Sequence, residues 1–226
     1  MPVSEALSRL LEGVGLQPSE AVPLDLANGR ILATDLAATR TQPPFAASAM
    51  DGYAVRSDDV ATDPSDLDII GEAPAGHGFS GTLGPGQAVR IFTGAPLPEG
   101  ADTILIQEDT TRDGNRVTAL ASPAKGLYVR PAGLDFTKGD TLINAGKRLS
   151  YRDVALAAAM NHAEVPVRKR PVVAILATGD ELVRPGMEPG PDQIIASNHA
   201  GVAALVEDCG GIALDLGISP DDPAIL

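Results

Sequence analysis

Tryptophan is absent from this 226-residue chain, and aromatic residues make up only 3% of it. A core must therefore be assembled from Ala, Val, Leu and Ile. Cysteine occurs once, at Cys209. That excludes an internal disulfide and a cysteine-based zinc site, and a buried, inert thiol is expected. The three histidines (His77, His162, His199) lack metal-ligand spacing and are expected to be structural or at the surface. Basic residues are also few: 17 Lys and Arg against 30 Asp and Glu, a formal charge of −13. This balance argues against nucleic acid as a partner and against adsorption to an anionic membrane. It leaves small anionic substrates open, because a bound Mg²⁺ or a local Arg reverses the local field. No apolar run approaches the roughly 20 residues a membrane span needs. The start, Met1-Pro2-Val3-Ser4-Glu5, has neither the basic nor the apolar stretch of a signal peptide, so a cytoplasmic location is expected. The common nucleotide cradles (GxxxxGK followed by Ser or Thr, and GxGxxG after a strand) are missing, as are HExxH and GxSxG.

Hydrophobic residues make up 44% of the chain, enough to bury a core, and 24 Gly and 19 Pro mark many turns without implying disorder. Val3, Leu7, Leu10, Leu11 and Val14 fall on one helical face. Ser4 is the expected N-cap, with Gly13 or Gly15 as the stop. Asn28-Gly29 marks a turn before a strand at 31–36. From about 44 to 132 the text is strand and turn, with strands expected at Tyr53–Arg56, Leu67–Gly71, Ala88–Phe92, Thr103–Gln107 and Arg116–Leu120. Ser150 and Asp153 resemble a capping box before a helix from Tyr151 to about Asn161. A strand at Glu164–Val167 leads to the triplet Arg168-Lys169-Arg170, expected to be a solvated linker. The run Val172–Ala177 then predicts a strand buried on both faces of a parallel sheet. A helix over Gly201–Cys209, with Ser197 or Asn198 as cap, and a strand over Ile212–Ile218 complete one right-handed βαβ unit. Asp221-Asp222-Pro223 reads as a further helix start. One such unit and a broken helix cannot cover both faces of a sheet, so a truncated domain is expected.

Three places hold acidic or hydroxyl side chains at chain reversals. The first is Asp51, at the tip of a loop stiffened by Pro43 and Pro44 and lined by the small residues Ala46 to Ala49. Its Asp51-Gly52 dipeptide is also a common hairpin signal. The second is Thr93-Gly94-Ala95-Pro96. The third is Thr178-Gly179-Asp180-Glu181, at the carboxyl end of a presumed parallel strand, where open α/β sheets bind ligands. Two adjacent carboxylates there, Asp180 and Glu181, suit a hard cation such as Mg²⁺. Taken singly, each of the three reads better as turn chemistry.

Together they form a pattern. Ser48-Ala-Met-Asp-Gly-Tyr-Ala-Val55, Ile91-Phe-Thr-Gly-Ala-Pro-Leu-Pro98, Arg130-Pro-Ala-Gly-Leu-Asp135 and Thr178-Gly-Asp-Glu-Leu182 stand in the order found in the molybdopterin molybdenumtransferase family (MoeA-like; gephyrin E-domain-like). Asn28-Gly-Arg-Ile-Leu32 and Ile195-Ala-Ser-Asn198 are similar as well, so the chain resembles that family along nearly its whole length. The resemblance implies an α+β multidomain fold. Its parts would be an elongated connector (1–43 and 133–166), a small β-rich domain (44–132), and the first βαβ unit of a truncated molybdopterin-binding, MogA-like α/β domain (167–226).

The resemblance further implies Mg²⁺-dependent insertion of molybdate into adenylylated molybdopterin, with release of AMP. It implies a homodimer in which Asp51 and Thr93 reach the α/β domain of the partner. Asp51, Asp135 and Glu181 are then the expected catalytic residues. Thr93, Thr178, Gly179, Ser197 and Asn198 are the expected cofactor-binding residues, and Asp180 and Glu181 the metal ligands. Molybdopterin adenylyltransferase and molybdoenzymes are expected partners. A non-catalytic dimerisation or scaffold module of the same family is the alternative, and the fragment alone is expected to be inactive. Leu134 departs from the polar or acidic residue often found before Asp135, and the family's later Gly-rich loop and C-terminal β-barrel have no counterpart.

Overall fold

Short apolar stretches punctuated by Gly and Pro build a six-stranded sheet in the order Thr103–Ile106, Gly52–Val55, Gln87–Ile91, Ser65–Ala73, Arg116–Ala119, Thr110–Asp113. All neighbours are antiparallel except Ser65–Ala73 and Gln87–Ile91, which run parallel. The five strands expected from the sequence are present, with ends shifted by one or two residues. In this computed structural model residues 1–222 and Ala224 are described. They divide into two units. One comprises Met1–Leu36, Leu142–Ala158 and His162–Leu226, and the other Ala37–Thr141 and Ala159–Asn161.

The sheet belongs to the second unit and is buried on both faces at its centre. Successive side chains of a strand point to opposite faces. Tyr53 and Val55 join Leu67, Leu105 and Val117 in one cluster, while Ala54 joins Val89, Ile91 and Ile104 in the other. This two-sided burial is why the hydrophobic alternation is weak in the sequence. Asp51-Gly52 is not a hairpin turn. The strand before it, Ala47–Ser48, pairs with Val129–Arg130. The strand after it pairs with Gln87–Ile91 and Thr103–Ile106. The dipeptide is thus a corner between strands that do not pair with one another.

In the other unit, helix α1 (Val3–Leu11) has Pro2 as its N-cap and no side-chain cap, and Glu12 closes it. Ser4 lies inside the helix rather than capping it, and Val14 falls beyond its end. Strand Ser19–Pro23 pairs antiparallel with Glu164–Arg168. The strand expected at 31–36 is reduced to single bridges at Ile31 and Leu32 and a two-residue strand at Leu36–Ala37. Helix α2 (Tyr151–Ala159) carries the expected capping box. The Ser150 backbone N–H donates to Asp153 Oδ2 at 2.9 Å, and the Asp153 N–H donates to Ser150 Oγ at 3.4 Å.

Asp153 is 5% exposed and accepts from Lys147 Nζ at 2.6 Å. Lys147 first, and then Ser150, lower its pKa to about 2. A carboxylate whose folded pKa lies below its unfolded value adds stability above the unfolded pKa and loses it as pH falls through the folded one. The chain should therefore lose at most about 2 kcal/mol between about pH 4 and pH 2 through this residue. That is an upper bound because Lys147 is half-exposed and its charge is screened. Urea midpoints across that window should show the increment in the native chain and not in Asp153→Asn.

The strand–helix–strand order and the parallel pairing of the expected unit are present. Val172–Thr178 runs parallel to Ile212–Ser219, with helix α3 (Ser197–Asp208) between them in sequence. Four expectations here are corrected. First, Val172–Thr178 is not buried on both faces: Ile175 is buried while Val172 is 61% exposed. Among the described residues its one strand neighbour is Ile212–Ser219, and α3 is the one helix packed on the pair. Second, α3 begins four residues before Gly201, with Ala196 as N-cap and no side-chain cap. Ser197 and Asn198 are first-turn residues, not caps. Third, Cys209 is exposed, because the helix ends on it. Fourth, Arg168 and Arg170 are not merely solvated, since each donates to backbone carbonyls. The helix start expected at Asp221-Asp222-Pro223 includes Pro223, which lies outside the described residues. Among the described residues no helix is long and apolar enough to cross a membrane.

Candidate functional site

The loop before Gly52 is held from both sides. Ser48 N–H donates to Ala95 O, and Gly94 N–H donates to Ser48 O. On the opposite edge Val129–Arg130 completes the pairing. Ser48 is buried, and its hydroxyl donates to Met50 O at 2.6 Å, which tightens the corner. The Gln107 N–H donates to Asp51 O at 3.2 Å. These bonds fix the backbone of Asp51.

Its side chain is fixed as well. Thr93 N–H and Thr93 Oγ1 both donate to Asp51 Oδ1, at 2.8 and 2.7 Å. Hydrogen bonds to an ionised carboxylate favour the ionised form. The backbone bond from Thr93, then its hydroxyl, and then the charge of Arg90 hold the Asp51 carboxyl below the usual carboxylate range. Oδ2 has no bond among the described residues, so one oxygen is anchored and the other is left to accept. Thr93→Val should raise the Asp51 pKa toward its ordinary value by removing the hydroxyl donor. A carboxyl ¹³C titration of both chains checks the direction.

Arg90 is the residue that sequence reading missed. It stands opposite Tyr53 in the sheet register. Its guanidinium carbon lies 5.1 Å from the Tyr53 ring centre and 4.9 Å from that of Phe92. Such contacts attract a cation to the ring faces. Nη1 donates to Gly52 O at 3.1 Å and Nη2 to Gln107 Oε1 at 2.8 Å. A lone Arg inside an otherwise apolar strand, Ala88-Val89-Arg90-Ile91-Phe92, was the signal available.

Asp135 accepts from Arg130 Nη2 at 3.2 Å, and both side chains are about half-exposed. Arg130 ends the strand that pairs with Ala47–Ser48. The strand Ala47–Ser48 is thus flanked by Val129–Arg130 on one edge and by residues 94–95, which follow Thr93, on the other. Leu134 is exposed.

The remaining expected residues lie in the other unit. Thr178 ends its strand opposite Ser219. Gly179 is buried and adopts φ +147°, where a Cβ would meet Glu181 Oε2 at 2.6 Å. The Glu181 carboxylate thus lies over the Gly179 backbone, and it is the positive φ that favours glycine there. Asp180 is exposed beside it. Ser197 and Asn198 open α3 after the parallel pair Leu182–Val183 and Ile194–Ile195. Among the described residues no three His, Cys, Asp or Glu side chains converge as a metal cluster. Asp180 and Glu181 are a pair of carboxylates and no more. His199 Nε2 lies 2.9 Å from Asp215, a structural contact as expected of the histidines.

Comparison with known proteins places this geometry in context. Residues 1–161 match the family model described as the MoeA N-terminal region, domains I and II. The chain is 44% identical over 214 residues to molybdopterin molybdenumtransferase of Nostoc sp., covering 93% of this chain and 49% of that protein. It is 38% identical to molybdopterin molybdenumtransferase 2 of Mycobacterium tuberculosis, covering 90% of this chain and 51% of that one. The chain thus spans about half the length of the curated relatives it matches. A solved molybdopterin biosynthesis MoeA protein from Pyrococcus horikoshii OT3 superposes with a TM-score of 0.93 at 34% identity, covering 100% of this chain and 62% of that one. The fold is MoeA-like: mixed α/β, with mostly strands and few helices.

Proposed function

The chain belongs to the MoeA family, and from that premise we propose that it carries part of a molybdopterin molybdenumtransferase, acting in molybdenum cofactor biosynthesis. The reaction joins molybdate to adenylylated molybdopterin and releases AMP. The observation that carries this reading is the anchored, ionised Asp51, with one oxygen held by Thr93 and the other available. A carboxylate so placed accepts a hydrogen bond from a water or a hydroxyl and orients it. Arg130 offers donors suited to a polyanionic substrate, and Asp135 keeps the guanidinium aimed.

Mg²⁺ is the implied cofactor. It is commonly bound through one or two carboxylates together with substrate oxygens and water, so the pair Asp180 and Glu181 fits it. When bound there it would polarise a phosphate oxygen. Glu181 would complete the catalytic carboxylates, and Thr178, Gly179, Ser197 and Asn198 would face the pterin substrate. The active assembly is a homodimer in which the Asp51 loop serves the partner subunit. Molybdopterin adenylyltransferase upstream and molybdoenzymes downstream are its functional neighbours.

The test is AMP release from adenylylated molybdopterin, with Mg²⁺ and with or without molybdate. It is run on this chain and on a chain extended to the relatives' length. Molybdate-dependent AMP release by the extended chain alone is expected. No such release from the extended chain would overturn the assignment, and full turnover by the present chain would show that the remainder is dispensable.

A further inference from the structure

Five of the 17 basic side chains of this acidic protein gather in one place: Arg30, Arg148, Arg168, Lys169 and Arg170. They line two adjoining clefts of about 400 and 200 Å³ that share Gly29, Arg30, Arg170 and Gly210 as walls. The Asn28-Gly29-Arg30 turn and the basic triplet, neither of which the proposed reaction uses, both meet here. The acids nearby are few. Among the described residues Glu207 is the one carboxylate residue lining the clefts, and Glu20 pairs with Arg30.

Among the described residues Arg148, Arg168 and Arg170 have no carboxylate partner. Backbone carbonyls hold them instead. Arg148 donates to Gly29 O at 3.2 Å and Asp208 O at 3.3 Å. Arg168 donates to Gln17 O at 3.1 Å and Ala33 O at 3.3 Å. Arg170 donates to Gly210 O at 3.0 Å and to Gly211 O.

A simpler role accounts for part of this. Arg148 and Arg170 lie at the carboxyl end of α3, where cations are favoured. That helix end carries only about half a charge, so two guanidiniums exceed it. Carbonyls fix a guanidinium in place without cancelling its charge. Each guanidinium has five N–H donors, and these bonds engage only some of them. Oriented, uncompensated guanidiniums with spare donors are what a tetrahedral oxyanion needs, and the fork geometry suits phosphate.

We propose that this cleft is an oxyanion site that takes a phosphate group, either free or as the end of a small phosphomonoester. The site is independent of the proposed reaction and would stand if that reading fell.

The test is an NMR titration of the ¹⁵N-labelled chain with inorganic phosphate and, separately, with glycerol 3-phosphate, at ionic strength held constant with chloride. Saturable shifts are expected at the Gly29, Gly210 and Gly211 amides, with at least tenfold weaker binding in the double variant Arg148→Gln, Arg170→Gln. Tighter binding of glycerol 3-phosphate than of phosphate identifies a phosphomonoester as the ligand; equal binding identifies free phosphate. Absence of saturation at those amides, equal shifts with chloride alone, or unchanged affinity in the double variant overturns the proposal. If the double variant fails to fold, the wild-type map decides alone.

Discussion

Gly52→Ala should lower the thermal midpoint of the chain by roughly 10 °C. A Cβ at this position would lie 2.1 Å from Leu105 O, 2.9 Å from Ile106 Cα and 3.0 Å from the Leu105 carbonyl carbon. All three are backbone atoms of the neighbouring strand, so no side chain can rotate out of the way. Overpacked cores cost about 1–3 kcal/mol when side chains yield. Here the strands themselves must part, and about 3 kcal/mol or more is expected, which converts to the stated shift for a domain of this size. Gly78→Ala is the control: its added Cβ would find only Pro96 side-chain carbons at 3.7 and 3.8 Å, and it should cost less than about 1 kcal/mol. Calorimetry on both variants decides. A shift for Gly52→Ala no larger than for Gly78→Ala would contradict the close strand approach.

Asp51→Asn should reduce turnover of a chain extended to the relatives' length by about 100-fold or more while leaving the thermal midpoint nearly unchanged. Thr93 N–H and Oγ1 both donate to the same oxygen, Oδ1, and the carbonyl oxygen of Asn can accept both. The corner therefore survives. What is lost is the charge and the second acceptor, and losing a positioned acid–base or electrostatic group costs on the order of 10²–10⁴ in rate. Steady-state AMP release measured beside calorimetry separates the two effects. Unchanged turnover would return Asp51 to the status of a turn residue.

These two neighbours in the chain show how much of the site could be read beforehand. Asp51, Thr93 and the stretch 178–181 are legible because acidic and hydroxyl residues cluster at turns, whereas Asp135 enters only through the family resemblance. The structure bonds Asp51 to Thr93 across 42 positions, which no spacing rule reports. The five strands were visible because short apolar stretches lie between Gly and Pro. Thr110–Asp113 was not, because this edge strand, Thr-Thr-Arg-Asp, is exposed and polar. The Ser150–Asp153 box was legible from two side chains three apart. The caps expected at Ser4, Ser197 and Asn198 failed because nearby hydroxyls and amides do not show which residue leaves helical geometry. The hairpin reading of Asp51-Gly52 failed because a local dipeptide cannot reveal that the strands flanking it pair elsewhere. The Val172–Ala177 run reveals its strand but not its exposure, since apolar sequence reports a preference for burial and not the neighbours that supply it.

The aromatic pair around Arg90 has an optical consequence. With no tryptophan in the chain, nothing masks tyrosine emission, and only Tyr53, Tyr128 and Tyr151 contribute. Tyr128 and Tyr151 are 38% and 69% exposed and open to a soluble quencher. Tyr53 is 4% exposed, two residues from Asp51, with a guanidinium against its ring. The quencher-resistant fraction of the emission is therefore a label-free reporter of the Asp51 corner. Any solute that draws Arg90 off the ring changes that signal before chemistry begins.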